Sequence, residues 1–179
     1  YILAWTLNVI ARTEEGGSGA VMLYSAVLAE LRRMSPEPGK LLREQEAELH
    51  LQMAAVIAEL TRRGVAVVCP VECVPEHSAL ESCASDGQRT TAAPGEACAR
   101  DLVTIAERYL ATDSPLRIRS QYIRSVLAQF RGDPVEALRL AEAVLASPGA
   151  ERLDVGALAR CTVAQDHLNR NDAEGAEAQ

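Results

Sequence analysis

The sequence predicts an all-α protein. Apolar side chains recur every three or four residues along most of the chain, a spacing that places them on one face of a helix. Aromatic residues make up only 3% of the chain, while alanine and leucine are abundant, and such residues lose little conformational freedom in a helix. Glycine, proline, asparagine and aspartate cluster between the periodic segments, which predicts helices separated by short breaks.

The N-terminal region, residues 1–63, contains three predicted helices, at 1–14, 20–34 and 40–63. The third is long and amphipathic, with two arginines in its last turn that complement the helix dipole. Gly64 follows it at the position where a residue in the left-handed conformation commonly ends a helix. We therefore interpret this region as helical repeats.

Residues 64–94 form an irregular connection that contains cysteines. Pro70 and Pro75 prevent one continuous helix, because proline lacks the amide hydrogen that a helix interior needs. The run 65–68 fits either a short strand or a buried helical turn, and Pro75 is placed to open a short helix that ends at Cys83.

Helical periodicity returns in residues 95–179. Pro115 and Pro134 are expected in the first turns of two of these helices, where a missing amide hydrogen costs nothing. The predicted helices here are 95–111, 116–131, 134–147, 152–169 and one that begins at 173. The whole chain is thus expected to hold about eight or nine helices.

One segment of this region resembles the second half of a tetratricopeptide (TPR) repeat. It reads Gly132-Asp133-Pro134-Val135-Glu136-Ala137-Leu138, with Gly-Asp in the turn and Glu-Ala opening the second helix. A small residue is needed at Ala137, where two helix backbones approach. Asn171-Asp172 and Ala176 repeat the pattern 39 residues later. The turn is shorter than the family's, and Leu127 stands where the family often has glycine.

The resemblance implies an α-solenoid of antiparallel helix pairs in one continuous superhelical domain. Because the chain lacks an initiator methionine and begins and ends within helical pattern, we expect a fragment truncated at both ends. The resemblance also implies a non-catalytic module for protein–protein or intramolecular regulatory binding. Bacterial proteins similar to this carry such repeats beside an output domain, such as a diguanylate cyclase or a LuxR-type regulator. The alternatives are a small-molecule-sensing helical domain that controls such an output, and an alanine-rich bundle in which the repeats arise by chance.

The predicted partner-binding residues lie on one helix. Three arginines recur every seven residues and share a stripe, and in TPR-like proteins the first helix of each pair lines a groove whose arginines bind acidic peptides. The alternative is a solvated face whose arginines pair with glutamates of neighbouring helices. The candidate residues are Arg117, Arg119, Gln121, Tyr122, Arg124 and Arg131.

The cysteines permit several interpretations. Cys69, Cys73, His77 and Cys83 have donor types that zinc accepts, but their spacing differs from that of common zinc knuckles. Buried structural cysteines are the alternative, and disulfides Cys69–Cys83 or Cys83–Cys98 stay open. The total of five cysteines is odd, which favours a reducing compartment.

The overall charge restricts the partners. The net charge of −7 and the pI near 5.0 argue against direct nucleic acid binding by this segment. No stretch has the length and apolarity of a membrane span. We find no catalytic triad, phosphate-binding loop or cofactor motif. We therefore expect a cytoplasmic, non-enzymatic protein without a cofactor, with a protein or peptide partner or a homodimer as its assembly.

Overall fold

A computed structural model describes residues 17–34, 40–65, 67 and 94–169. Within these ranges the chain is helical and contains no β-strand. The described helices are α1 (Gly17–Met34), α2 (Lys40–Arg62), α3 (Pro94–Tyr109), α4 (Leu116–Phe130), α5 (Pro134–Leu145) and α6 (Asp154–Asn169), with a 3-10 turn at Ala150–Arg152.

Six of the predicted helices are therefore confirmed, and their ends differ by at most three residues from the predicted ones. The total of eight or nine helices is not reached by the described residues. The other predicted helices, at 1–14, at Pro75 to Cys83 and from 173 onward, lie outside the described residues, as does Ala176.

Glycines end two of the helices in the way their positions predict. Gly64 follows α2 with φ of +74°, and Gly132 follows α4 with φ of +73°. The amide of Gly132 donates to the carbonyl of Gln129, and the amide of Asp133 donates to the carbonyl of Ala128, each at 3.0 Å. These two bonds define a Schellman motif, which satisfies carbonyls that the helix leaves open.

The next helix begins immediately after this turn. The carboxylate of Asp133 accepts a 3.0 Å hydrogen bond from the amide of Glu136, and Pro134 occupies the first helical position. An N-cap carboxylate and a first-turn proline both favour helix initiation at this point. The break predicted at Gly132-Asp133 is therefore part of a three-residue turn, residues 131–133, that reverses the chain.

The helices pack in two rows. Each helix from α1 to α6 contacts the next one in the chain, and in addition α2 contacts α4 and α4 contacts α6. We call α2, α4 and α6 the inner row, and α1, α3 and α5 the outer row. This arrangement brings side chains that are distant in sequence onto one surface.

Two apolar clusters hold the rows together. The larger cluster is centred on α2 and α3 and includes the fully buried Leu51, Met53 and Ile57. His50 is also fully buried, and its ring stacks on Tyr109 at a centroid distance of 6.4 Å. The smaller cluster joins α5 and α6 through Ala141, Val144, Ala159 and Val163.

Small residues lie at the helix crossings. Ala137 is 1% exposed at the contact between α4 and α5, as predicted from its position after the turn. Gly95 lies against Thr61 where α3 meets α2, and a Cβ atom at this glycine would come within 2.1 Å of the Thr61 hydroxyl oxygen. Both contacts therefore depend on the absence of a larger side chain.

None of the helices in the described ranges combines the length and the apolar composition that crossing a lipid bilayer requires.

Candidate partner-binding face

Arg117 binds the end of a neighbouring helix. Its guanidinium donates hydrogen bonds to the carbonyl oxygens of Leu110 and Ala111, both at 2.8 Å, and to that of Glu107 at 3.4 Å. These carbonyls lie at the C-terminal end of α3, where the helix has no further amides to satisfy them. A positive charge at this end also interacts favourably with the helix dipole. Arg117 therefore stabilises α3.

Arg124 forms the strongest ion pair between two helices in the described residues. Its Nε and Nη2 atoms donate to the two carboxylate oxygens of Glu107 on α3, at 2.8 and 2.6 Å. Burial of Glu107 acts to raise its pKa, but the hydrogen bonds and charge of Arg124 outweigh this effect and hold the pKa below its usual value. Such bidentate geometry fixes both side chains.

The third member of the stripe also faces α3. Nε of Arg131 lies 3.8 Å from a carboxylate oxygen of Glu96, whose side chain is 4% exposed. The heptad stripe Arg117, Arg124 and Arg131 thus runs along the contact between α3 and α4. This arrangement matches the alternative in which the arginines pair with groups of a neighbouring helix, while Arg124 and Arg131 remain 32% and 39% exposed.

Arg119 connects α4 with the other two helices of the inner row. Its guanidinium lies 3.4 Å from a carboxylate oxygen of Asp154 at the start of α6, and 3.8 Å from one of Glu48 on α2. Both separations are longer than those of a tight charged hydrogen bond. Arg119 thus bridges the three inner helices with two weak ion pairs, and its side chain remains 25% exposed.

A groove of about 390 Å³ opens around Arg119. Leu116, Leu153 and Val155 supply its apolar lining. Its polar lining comes from α2, from the segment that enters α4, and from the start of α6: Glu44, Gln45, Glu48, Ser114, Arg119 and Asp154. Three carboxylates therefore face one guanidinium, so the groove is acidic.

Two tyrosines whose pKa is influenced by residues of this groove have raised pKa values. Burial, followed by the charge of Glu48, raises the pKa of Tyr24 to about 12, although Arg119 acts in the opposite direction. Burial also raises the pKa of Tyr122, with further contributions from Cys161, Asp154 and Glu59. Burial is thus the largest cause of both shifts, and the charges of Glu48 and Asp154 add smaller contributions.

The two remaining candidate residues have different surroundings. Tyr122 is half-buried and packs against the smaller apolar cluster between α5 and α6. Gln121 is half-buried on α4. A second depression, of about 470 Å³, lies between the C-terminal part of α6 and the turn that joins α4 to α5. Its polar lining is Gln129, Thr162, Gln165, Asp166 and Asn169.

The proposed zinc ligands Cys69, Cys73, His77 and Cys83 lie outside the described residues. Within the described ranges no group of three histidine, cysteine or acidic side chains is arranged to hold a metal ion. Cys98 is disulfide-bonded and buried, and Cys161 is a free, exposed thiol.

No protein-family model, curated protein or solved structure matches this chain.

The sequence interpretation missed the acidic side of the groove. Glu44 and Glu48 are four residues apart on α2, a spacing that places them on one helix face but does not indicate what lies opposite. Asp154 gave no signal beyond its place at a helix start. Their meeting with Arg119 depends on the packing of three helices, which spacing within one helix does not reveal.

Proposed function

We propose that this chain is a TPR-like helical-repeat module that binds a protein or peptide partner on the inner row of helices. The proposal includes a regulatory role within a bacterial signalling or transcription-regulatory protein, as the resemblance of residues 132–138 to the TPR turn implies. In this role the chain itself performs no chemistry, and its surface selects a partner.

The order of helix contacts supports the repeat interpretation. In stacked helix pairs, the first helix of each pair contacts its own partner and also the first helix of the next pair. The contacts α2–α4 and α4–α6 follow this order. The turn at Gly132 and the small, buried Ala137 support the proposal, because they resemble the TPR turn and the small residue that follows it.

The groove around Arg119 carries the functional proposal. It is formed by α2, α4 and the start of α6 together, so a partner that enters it contacts several helices at once. It combines apolar surface with charged groups, a mixture that provides both burial and orientation in binding sites. Gln45 lies exposed at this groove and can be substituted without entering the core.

Selection from a displayed library of random twelve-residue peptides tests the proposal. Selected peptides are then measured by fluorescence anisotropy against the unmodified chain and two variants. Gln45→Trp fills the groove, whereas Val135→Trp places the same bulk on α5 of the outer row, at a residue that is 71% exposed. We expect Gln45→Trp to weaken binding at least tenfold and Val135→Trp to leave it within threefold.

Two results would contradict the proposal. One is a selection that enriches no peptide above a control protein of similar charge. The other is an equal loss of affinity in the two tryptophan variants, which would locate binding elsewhere. Circular dichroism of both variants confirms that the helical content is retained.

A second candidate function is small-molecule sensing in the depression of about 470 Å³ between α5 and α6. Its volume lies within the range of roughly 300–1,000 Å³ that is usual for ligand pockets. A thermal-shift screen with metabolites tests this candidate, since a bound ligand raises the melting temperature. A stabilising compound should lose its effect in Thr162→Trp, which blocks the depression, and keep it in Gln45→Trp.

A further inference from the structure

We propose that the groove around Arg119 receives a cationic side chain, a guanidinium or an ammonium group, from a basic segment of the partner protein. This inference rests on the binding function proposed above and specifies the chemistry of the partner. It reverses the expectation from the arginine stripe, which favoured an acidic peptide.

The charge of the groove is the first argument. Glu44 and Glu48 on α2 and Asp154 on α6 line it, against the single guanidinium of Arg119. Asp154 is 70% exposed on its side chain and Glu48 is 26% exposed, so both carboxylates are accessible from solvent. A second cation entering the groove would meet an excess of negative charge.

Arg119 itself shows that a guanidinium fits between these carboxylates. It lies between Glu48 and Asp154, but at 3.8 and 3.4 Å it leaves both pairs loose. Carboxylates of this kind accept bidentate hydrogen bonds from an arginine at shorter distances. Arg119 therefore acts as an internal competitor that an incoming cation displaces or supplements.

The apolar lining explains why a side chain suits the groove better than a small inorganic cation. Leu116, Leu153 and Val155 line the groove alongside the carboxylates. Lysine and arginine carry aliphatic stems that pack on such surface while their charged ends remain near polar groups. The groove thus matches both parts of a long basic side chain.

The experiment measures binding of fluorescein-labelled octa-arginine at 150 mM salt, where screening suppresses charge attraction beyond about 8 Å. The groove variant is Glu44→Gln with Glu48→Gln. The matched control, Asp101→Asn with Glu142→Gln, removes the same charge from α3 and α5 of the outer row. We expect the groove variant to weaken binding at least tenfold and the control to weaken it less than threefold.

Arg119→Gln provides a test in which binding is expected to become tighter instead of weaker. If Arg119 competes with the bound cation, its removal tightens octa-arginine binding at least threefold. Arg139→Gln on α5 removes the same charge from the outer row and should change affinity much less. If Arg119→Gln instead binds octa-arginine more weakly, the proposal is overturned, and an acidic partner is favoured again.

The remaining outcomes also decide the question. If the groove and control variants lose octa-arginine affinity equally, the binding depends only on net charge, and the proposal is overturned. Argininamide that binds as tightly as octa-arginine would indicate a small free cation instead of a protein segment, and would overturn it as well. If the library yields groove-dependent peptides without basic residues, this inference fails while the binding function stands; if it yields no peptide, both fail.

Discussion

The hydroxyl of Ser125 donates a 2.7 Å hydrogen bond to the carbonyl oxygen of Ala137 and joins α4 to α5 inside the protein. Ser125 has no exposed surface and Ala137 is 1% exposed. A short side chain reaches the backbone of another helix only where the two helices lie close together, and small residues at the crossing permit this approach. The bond therefore marks the place where the helix pair is most sensitive to added volume.

Ala137→Leu is expected to lower the free energy of unfolding by roughly 1–3 kcal/mol, because added methylene groups in a packed contact force the helices apart. Urea unfolding followed by circular dichroism measures the change. Ala55→Leu, on an exposed position of α2, is the matched control and should stay within about 0.5 kcal/mol. Equal effects of the two substitutions would show that α4 and α5 do not cross closely at Ala137.

Gly95→Ala is expected to destabilise the contact between α2 and α3. A Cβ atom at Gly95 would lie 2.1 Å from the hydroxyl oxygen of Thr61. The Thr61 hydroxyl donates a 2.8 Å hydrogen bond to the carbonyl of Ile57, and moving it aside would break this bond. The loss should be roughly 1–3 kcal/mol, as for other overpacked sites, in chemical unfolding experiments.

Thr61→Ala removes the clashing oxygen and serves as the rescue for this prediction. The double variant Gly95→Ala with Thr61→Ala should recover most of the lost stability, so the two effects should not add. Additive losses would show that Gly95 is needed for its backbone conformation instead of for the space beside Thr61.

The ion pair between Glu107 and Arg124 should stabilise the fold in a pH-dependent way. The pKa of Glu107 is lower in the folded protein than its ordinary value of 4.5. The stabilisation is therefore complete above that value and is lost as the pH falls through the lowered folded pKa. A double-mutant cycle with Glu107→Gln and Arg124→Met should give a coupling of about 1 kcal/mol at pH 7, which decreases towards pH 3.

The pair Glu136 and Arg139 on α5 is the control for this cycle. It has similar hydrogen bonds, of 2.6 and 2.8 Å, but connects neighbouring turns of one exposed helix surface. Its coupling should be clearly smaller, because solvent screens exposed charges. A coupling between Glu107 and Arg124 that is equally small, or that does not change with pH, would contradict the prediction.

Arg117→Met should destabilise α3 by about 1.5–3 kcal/mol, the range for hydrogen bonds that involve a charged group. Thermal unfolding of the variant measures the loss. Arg117→Lys should recover only part of it, since an ammonium lacks the planar geometry that reaches Leu110 and Ala111 together. Arg139→Met, which removes an exposed arginine from α5, should cost much less, and a similar cost in both would remove the proposed role of Arg117.

Much of the local structure could be predicted from the sequence. Gly64, Gly132 and Asp133 end or begin helices because their backbone and side-chain preferences act over a few residues. The burial of Ala137 was predictable for a related reason, since its place just after the turn puts it on the side that faces α4. Helix ends and the residues beside them depend mainly on residues that are close in the sequence.

The surroundings of the arginine stripe were harder to predict than the stripe itself. Their spacing of seven correctly places Arg117, Arg124 and Arg131 on one face of α4. It does not say which groups lie opposite that face, and in the folded chain these are Glu96, Glu107 and the C-terminal carbonyls of α3. The residue that remained near an open groove, Arg119, lies on another side of the same helix.

By itself, therefore, the sequence determined where the helices lie and which of their faces are apolar or charged, because periodicity and capping are properties of short segments. Only the tertiary structure decided which charged faces oppose each other. Glu48 and Asp154 belong to distant parts of the chain, and they meet Arg119 because the apolar faces of all the helices must be buried together. The sign of the groove's charge is a consequence of that packing.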